Sequence, residues 1–427
     1  MICRGNLKNI TPHYLSVSNN KGVEIGKLPI TKEGVSGWQG CNLAEINGGN
    51  CNSKEAFMDA CKAASIICTL QAGYTDFKFL AKEAKEIFEG ESLIGVSVTG
   101  WMNNPEVLFD ETNMKEGAEL VKSVNKTIAK LIKINPAARS TCVKPSGNAS
   151  VLLQTSSGIH GDHSSQYLRH VQLSKDAEVA KLIAEVNPDM VEDSVWDSSS
   201  YCVAFPVIPK EGTIFKKELL GVKQLDYVKK AQQFWVEYGT DVELCRHPKL
   251  RHNVSNTITV DDWDEVADYV FKNRYNFAGI SFLAASGDKA YSQAPNAEVL
   301  TATELLSKYG DAAFFASGLI VDGLEAFNND LWDACSAAIY KRVLVEDKVN
   351  VLKIDWVRRF YKFSENYFKG DQEKASHCLK DVKYFHKWCK IQNNLKTINW
   401  EEKLTEKTYT DIDTMGAIAC SGGACEI

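Results

Sequence analysis

Between residues 41 and 284, short apolar runs alternate with longer stretches whose apolar positions recur every three or four residues. No other feature limits the fold so tightly, because strand followed by helix, repeated, is the pattern of parallel βα units. The strand candidates are residues 41–46, 91–99, 141–143, 254–260 and 277–284, the last reading FAGISFLA. The intervening helices include 53–69, where Ser53 can cap and Phe57, Ala60, Ala64 and Ile67 share a side, and 113–134, with Gly117 as its internal glycine. Cys61 and Cys68 fall on the first of these helices as packing residues. The helix after the fourth strand opens with Asp261, Asp262 and Asp264, where the helix dipole favours negative charge. Five such strands make either half of a large barrel or a small doubly wound sheet.

Residues 139–157, RSTCVKPSGNASVLLQTSS, hold the sharpest local signal. Thr141 to Val143 end a strand, Pro145, Ser146 and Gly147 turn the chain, and a helix starts near Ala149. A strand passing through a glycine turn into a helix start presents backbone N–H groups to an anion, and Ser146, Asn148 and Ser150 can add donors. It is not a P-loop, since GxxxxGK[ST] is absent and Lys144 precedes the turn. An ordinary capped helix behind a Pro-Gly turn fits the same letters.

The net charge of −6 disfavours a general nucleic-acid polymer surface, and 44% hydrophobic with 24% charged residues is ordinary for a soluble globular chain. No apolar run of about 18 residues could span a membrane, and the first residues, MICRGNLKNI, do not read as a signal peptide. Thirteen cysteines, an odd number without CxxC…CxxC spacing, argue for a reducing, cytoplasmic setting and against a structural zinc or other metal site.

Residues 300–400 are helical, with aromatic and basic letters interleaved as in IDWVRRFYKFSENYF. Buried aromatics rimmed by basic stems are expected there in preference to a nucleic-acid face. The last residues, with Cys420 and Cys425 around SGGA, are expected to form a flexible tail. Two glycines let this pair close a disulfide, which suits it to thiol exchange with a disulfide elsewhere. Cys41, behind Gly37 and Gly40 at the start of a strand, is the best candidate for the partner thiol; Cys142 is expected to face the core.

GCNLAEI at 40–46, TCVKPSGNASVLL at 141–153 and the terminal CSGGAC together resemble the catalytic subunit of ribonucleotide reductase, of the adenosylcobalamin-dependent (class II) kind. ESLIGVSVTG at 91–100, SGIHGDHSSQYLRHVQ at 157–172, HNVSNTITV at 252–260 and CLKDVKYFHKWC at 378–389 extend the resemblance along most of the chain. It implies a ten-stranded α/β barrel of which this chain supplies the second half, and the cofactor adenosylcobalamin. It also implies thiyl-radical reduction of a ribonucleotide, with Cys41 in the reducing pair. Ser146, Gly147, Asn148, Ala149 and Ser150 would hold the substrate phosphates. Cys420 and Cys425 would re-reduce the pair and be reduced in turn by thioredoxin or a similar dithiol protein.

Two departures qualify these expectations. The family's radical cysteine lies in an Asn-x-Cys-x-Glu motif that is absent here, Cys3 lacking both flanking residues, and the second cysteine of the reducing pair belongs to the other half. The chain is therefore expected to need an N-terminal reductase half carrying the radical cysteine; the competing expectation is a non-catalytic structural or regulatory half-protein. Oxygen-dependent relatives end the last core strand with adjacent tyrosines, whereas this one carries Phe282 and no tyrosine pair before Tyr291, which favours the cobalamin class. The expected organisation is a loosely structured segment over 1–36, the half-barrel over 37–300, a helical region over 301–402 and the tail over 403–427.

Overall fold

A computed structural model describes residues 2–5, 13–18, 24–30, 37–80, 82–245, 247–285, 293–326 and 351–400. Its contacts divide the chain into two units, Met1–His163 with Pro209–Gly287, and Ser164–Ile208 with Asp288–Ile427. Residues 164–208, inside the expected half-barrel region, thus group with the helical residues that follow. Elements are numbered along the whole chain. The first unit holds β1 (Ile2–Gly5), β2 (His13–Ser18), β3 (Glu24–Ile30), β4 (Gly37–Gly40), β5 (Asn42–Asn47), β6 (Ile94–Thr99), β10 (Ile258–Val260) and β11 (Phe282–Ala284). Its helices are α1 (Lys54–Ala72), α2 (Lys82–Glu91), α3 (Pro105–Leu108), α4 (Glu111–Ile132), α5 (Gly147–Leu153), α7 (Gly221–Ala231) and α8 (Trp263–Asn273).

A layer of parallel segments organises this unit. β5 pairs with β6 in parallel from Asn42↔Ile94 to Asn47↔Thr99. On its other side β6 takes residues 139–143 through the parallel bridge Val96↔Thr141, with Val96 N–H donating to Ser140 and Cys142 N–H to Val96. Val143 bridges Val254 in parallel, and that segment runs on into β10, which pairs in parallel with β11. Five segments therefore lie side by side in chain order, and the α/β expectation holds. The ten-stranded barrel is not formed by the described residues. Closure requires every strand to have two neighbours, and among the described residues β11 pairs with β10 alone and exposes all three of its side chains.

The apolar alternation of the strands decides which side the helices cover. Ile46, Ile94, Val96 and Val98 bury against Phe57, Cys61 and Cys68 of α1 and Met114 and Val121 of α4. Each large side chain so buried contributes roughly 1.5–3 kcal/mol. Ser53 caps α1 by accepting from Ala56 N–H, and Asp110 caps α4 by accepting from Asn113 N–H. α7 continues into a π-helical turn, Gln232–Val236, which sets Trp235 wholly inside the core, where its Nε1–H donates to the Cys142 carbonyl at 3.0 Å. Residues 1–36 gave no periodic signal, yet β1 pairs antiparallel with β4, and β2 with β3.

The second unit is built on the antiparallel sheet β12-β7-β9-β8, formed by β7 (Tyr167–Ser174), β8 (Val191–Asp193), β9 (Ser200–Val207) and β12 (Asn296–Glu298). Its helices are α6 (Glu178–Val186), α9 (Ala302–Tyr309), α10 (Ala312–Ala326), α11 (Val351–Phe368) and α12 (Gln372–Asn394). Leu168, Val203 and Ala204 of the sheet pack with Tyr384, Trp388 and Ile391 of α12. Trp356, Phe360 and Phe363 are buried among α10, α11 and α12, while Arg359 reaches out to Asp322. The interleaved aromatic and basic letters are thus a packed interior with a charged rim. No helix among the described residues is long and apolar enough to cross a membrane.

Candidate active site

The face of the parallel layer turned away from α1 and α4 is where polar side chains gather. The register sets Leu43 opposite Gly95 and Glu45 opposite Ser97, so Cys41, Leu43 and Glu45 project to one side with Gly95 and Ser97. Gly95 makes room there. A β-carbon on it would stand 2.5 Å from Leu43 Cδ2, 2.9 Å from Cys142 Sγ and 3.0 Å from Cys41 Sγ. The two sulfurs therefore flank the same bare backbone position. Cys41 is half-buried beside Leu93, Ala138 and Cys245. Cys142 is buried, but its sulfur lies on the Cys41 side of the layer and not, as expected, towards the core, because Thr141 takes the core-side register position opposite Val96; burial pushes its thiol well above the ordinary range, which keeps it protonated. Cys61 and Cys68 are wholly buried packing thiols, the latter pushed up to about 12 by burial.

His252, at the start of the fourth segment, faces Cys41 with Nε2 3.8 Å from Sγ. Its Nδ1 lies 3.0 Å from the Thr141 carbonyl. A carbonyl only accepts, so Nδ1 carries the proton and Nε2 offers its lone pair to the thiol. Burial drives this imidazole down to about 4, with Arg139 and Lys144 pushing the same way, so it is neutral near pH 7. The signal for His252 was weak in the sequence, because 211 positions separate it from Cys41.

Glu45 is the other residue that sequence reasoning passed over, although a carboxylate inside an apolar strand is a usable sign. It accepts from Ser97 Oγ at 2.8 Å and from Ser146 Oγ, while Ser97 Oγ accepts from Lys144 N–H at 2.9 Å. The turn at 144–147 is thereby tied to the layer. Ser146 takes left-handed backbone angles, φ 61° and ψ 28°, and α5 begins behind it. Gly158 is needed nearby, with φ +51° and a β-carbon position only 2.5 Å from the Lys144 carbonyl oxygen.

The expected phosphate residues are brought together at the start of α5, with different groups available from each. The Ser146 hydroxyl is engaged by Glu45, and the buried Ser150 hydroxyl donates to the Gly147 carbonyl at 3.1 Å. Gly147 and Asn148 are exposed, Ala149 is half-buried, and a β-carbon on Gly147 would meet nothing within 4 Å. The N–H groups of 147–149 thus head a short helix on its open side. Cys420 and Cys425 lie outside the described residues. Among the described residues no group of three or more His, Cys, Asp or Glu could hold a metal ion.

No family model matches the chain. It is 24% identical over 220 residues to the adenosylcobalamin-dependent ribonucleoside-triphosphate reductase of Euglena gracilis, covering 50% of this chain and 28% of that one. It is 22% identical over 288 residues to the probable adenosylcobalamin-dependent ribonucleoside-triphosphate reductase of Dictyostelium discoideum, covering 64% and 35%. For the adenosylcobalamin-dependent ribonucleoside-triphosphate reductase of Lactobacillus acidophilus the figures are 24% over 321 residues, 66% and 42%. The matches thus span between 28% and 42% of the curated relatives' own length. A crystal structure of a B12-dependent, class II ribonucleotide reductase superposes with a TM-score of 0.50 at 16% identity, over 62% of this chain and 39% of that one, a likeness of fold. In sequence over part of its length, and in fold, the chain is similar to the adenosylcobalamin-dependent, class II ribonucleotide reductases.

Proposed function

We propose that this chain is the C-terminal portion of the catalytic machinery of an adenosylcobalamin-dependent ribonucleotide reductase. The observation that carries the reading is the common polar face of the layer, on which Cys41 stands two register positions from Glu45, and Glu45 holds the turn that opens α5. A thiol and an anion-binding helix start are thereby held at opposite ends of one strand, as reduction of a phosphorylated sugar requires. Cys41 and a second cysteine outside this sequence give two electrons and two protons to the ribose, which loses its 2′ hydroxyl as water, and the two sulfurs close a disulfide. The N–H groups of Gly147, Asn148 and Ala149, with the Asn148 amide, take the substrate phosphates, Ser146 and Ser150 shaping the turn behind them. Cys420 and Cys425 reopen the disulfide by exchange and are themselves reduced by thioredoxin or a similar dithiol protein.

Adenosylcobalamin, when bound, supplies the radical that starts the reaction. The described side chains on this face, thiols, hydroxyls and a carboxylate, do not form a seat for a corrin. The radical cysteine is placed in an N-terminal half outside this sequence. The competing reading is a structural or regulatory half-protein that assembles with a reductase partner. Turnover by the assembled enzyme separates the two. Replacing Cys420 and Cys425 together by serine is expected to spare turnover driven by a small dithiol and to abolish turnover driven by thioredoxin. Equal loss with both reductants would remove the shuttle role, and Cys41→Ser turning over repeatedly with either reductant would remove Cys41 from the reducing pair.

A further inference from the structure

We infer that His252 is the base that takes the proton from Cys41 when this thiol forms a sulfur–sulfur bond. The inference rests on the reading of Cys41 as a redox thiol and adds to it a residue that touches the reacting atom. Three features of the first unit carry it. Nε2 of His252 lies 3.8 Å from Cys41 Sγ, within reach of an S–H donor. The ring cannot turn freely, because Nδ1 is held by the Thr141 carbonyl at 3.0 Å and the His252 carbonyl accepts from Gln232 Nε2 at 3.3 Å. That hold fixes the tautomer in which Nε2 is the acceptor. Finally, the absence of a side chain at Gly95 leaves the Cys41 sulfur beside bare backbone.

A thiol is a poor nucleophile until its proton leaves, and an adjacent neutral imidazole is the usual means of removing it. Burial keeps His252 neutral, so its lone pair is available near pH 7; the same burial disfavours the imidazolium, so the proton moves as the sulfur–sulfur bond forms and not before it. With a small disulfide RSSR the step is balanced. The Cys41 S–H proton moves to Nε2 as the sulfur bonds to one sulfur of RSSR. The S–S bond of RSSR breaks, and the departing RS⁻ takes the proton from Nε2, giving Cys41–S–S–R and RSH. Cys41 is oxidised and the leaving sulfur reduced. During nucleotide reduction, when Cys41 closes a disulfide with a second cysteine, the ribose takes the two electrons and the proton held on Nε2 leaves with the 2′ hydroxyl as water.

The test follows the rate at which the full chain forms the mixed disulfide at Cys41 with 2-hydroxyethyl disulfide, read from the Cys41 peptide by mass spectrometry. His252→Gln and His252→Ala are expected to slow it about 100-fold, the low end of what a positioned base supplies. Added imidazole is expected to restore much of the rate to His252→Ala and to leave the unsubstituted chain unchanged. Rates within twofold of the unsubstituted chain, or a slow His252→Ala that ignores imidazole, would overturn the assignment. A measurement without substitution guards against variants that fail to fold: nitrogen NMR of the His252 ring is expected to show the proton on Nδ1, and a proton on Nε2 would equally overturn it. Reductase turnover of the assembled enzyme is followed in parallel. An active enzyme whose Cys41 exchange ignores His252 removes the base alone, whereas imidazole-dependent exchange in an assembly that never reduces a ribonucleotide removes the proposed function and keeps the base.

Discussion

Replacing Gly95 by alanine tests the packing of the polar face most directly. The added methyl would stand 2.5 Å from Leu43 Cδ2, 2.9 Å from Cys142 Sγ and 3.0 Å from Cys41 Sγ. Ordinary contact between such atoms begins near ~3.5 Å, so the leucine methyl must retreat by about 1 Å and each sulfur by roughly half as much. Leu43 is half-buried and can swing aside. Cys142 cannot, because it is buried and its carbonyl is held by the Trp235 indole at 3.0 Å. Overpacking of this kind costs about 1–3 kcal/mol. For a unit of this size that is a fall of roughly 2–10 °C in the melting temperature, read by calorimetry. Leu43→Ala in the same chain removes the nearest obstacle, so the double variant is expected to be more stable than the sum of the single losses by about 1 kcal/mol. A Gly95→Ala chain as stable as the parent, or a strictly additive double variant, would refute the account of why a glycine stands there.

Further outcomes follow from the same contacts. Arg139 is buried against Glu91 at 3.3 Å and donates to the carbonyls of Leu250 and His247; Arg139→Ala breaks this buried ion pair and removes both carbonyl donors, and should cost about 3–5 kcal/mol in urea denaturation. His252 and His170 are both brought down from 6.5 to about 4 by burial. Between those values the unfolded chain binds the extra protons, so stability should rise with pH across that window and be lost as pH falls towards 4, by up to about 3 kcal/mol per histidine; denaturation midpoints that stay level from pH 7 to pH 4 would contradict it. Trp235→Phe keeps most of the buried ring and removes the donor to the Cys142 carbonyl, for an expected loss of about 1–3 kcal/mol by the same denaturation measurement.

The parallel segments were legible because each is a run of β-branched and apolar residues bounded by turn formers, and a run of that kind betrays its neighbours little but its own state well. Ser53 before Phe57 likewise announces a helix start in the letters alone, whereas the next long helix begins at Glu111 behind the Asp110 cap, ahead of the residue 113 expected from the apolar period. The strands within residues 1–36 were not legible, since β2 and β3 support each other by pairing and show no sustained alternation. β7 and β9 belong to an antiparallel sheet in another unit, which nothing in a βα pattern foretells. At the site, Cys41 and the turn at 144–147 could be named from local signals. Their surroundings could not, because His252, Glu45 and Gly95 take their roles from register and from contacts between distant stretches.

The interleaving of the two units has a consequence for how the protein is made. Residues 139–143 complete their second ladder only with Val254, and β7 is flanked by β12 only after β11 has been made. A growing chain leaving the ribosome therefore carries three paired segments with an open edge while strands of the other unit emerge in between. Neither unit can finish before the other has begun. Open edges held for that long invite pairing with other chains, so synthesis is the stage at which this chain is most exposed to wrong pairing.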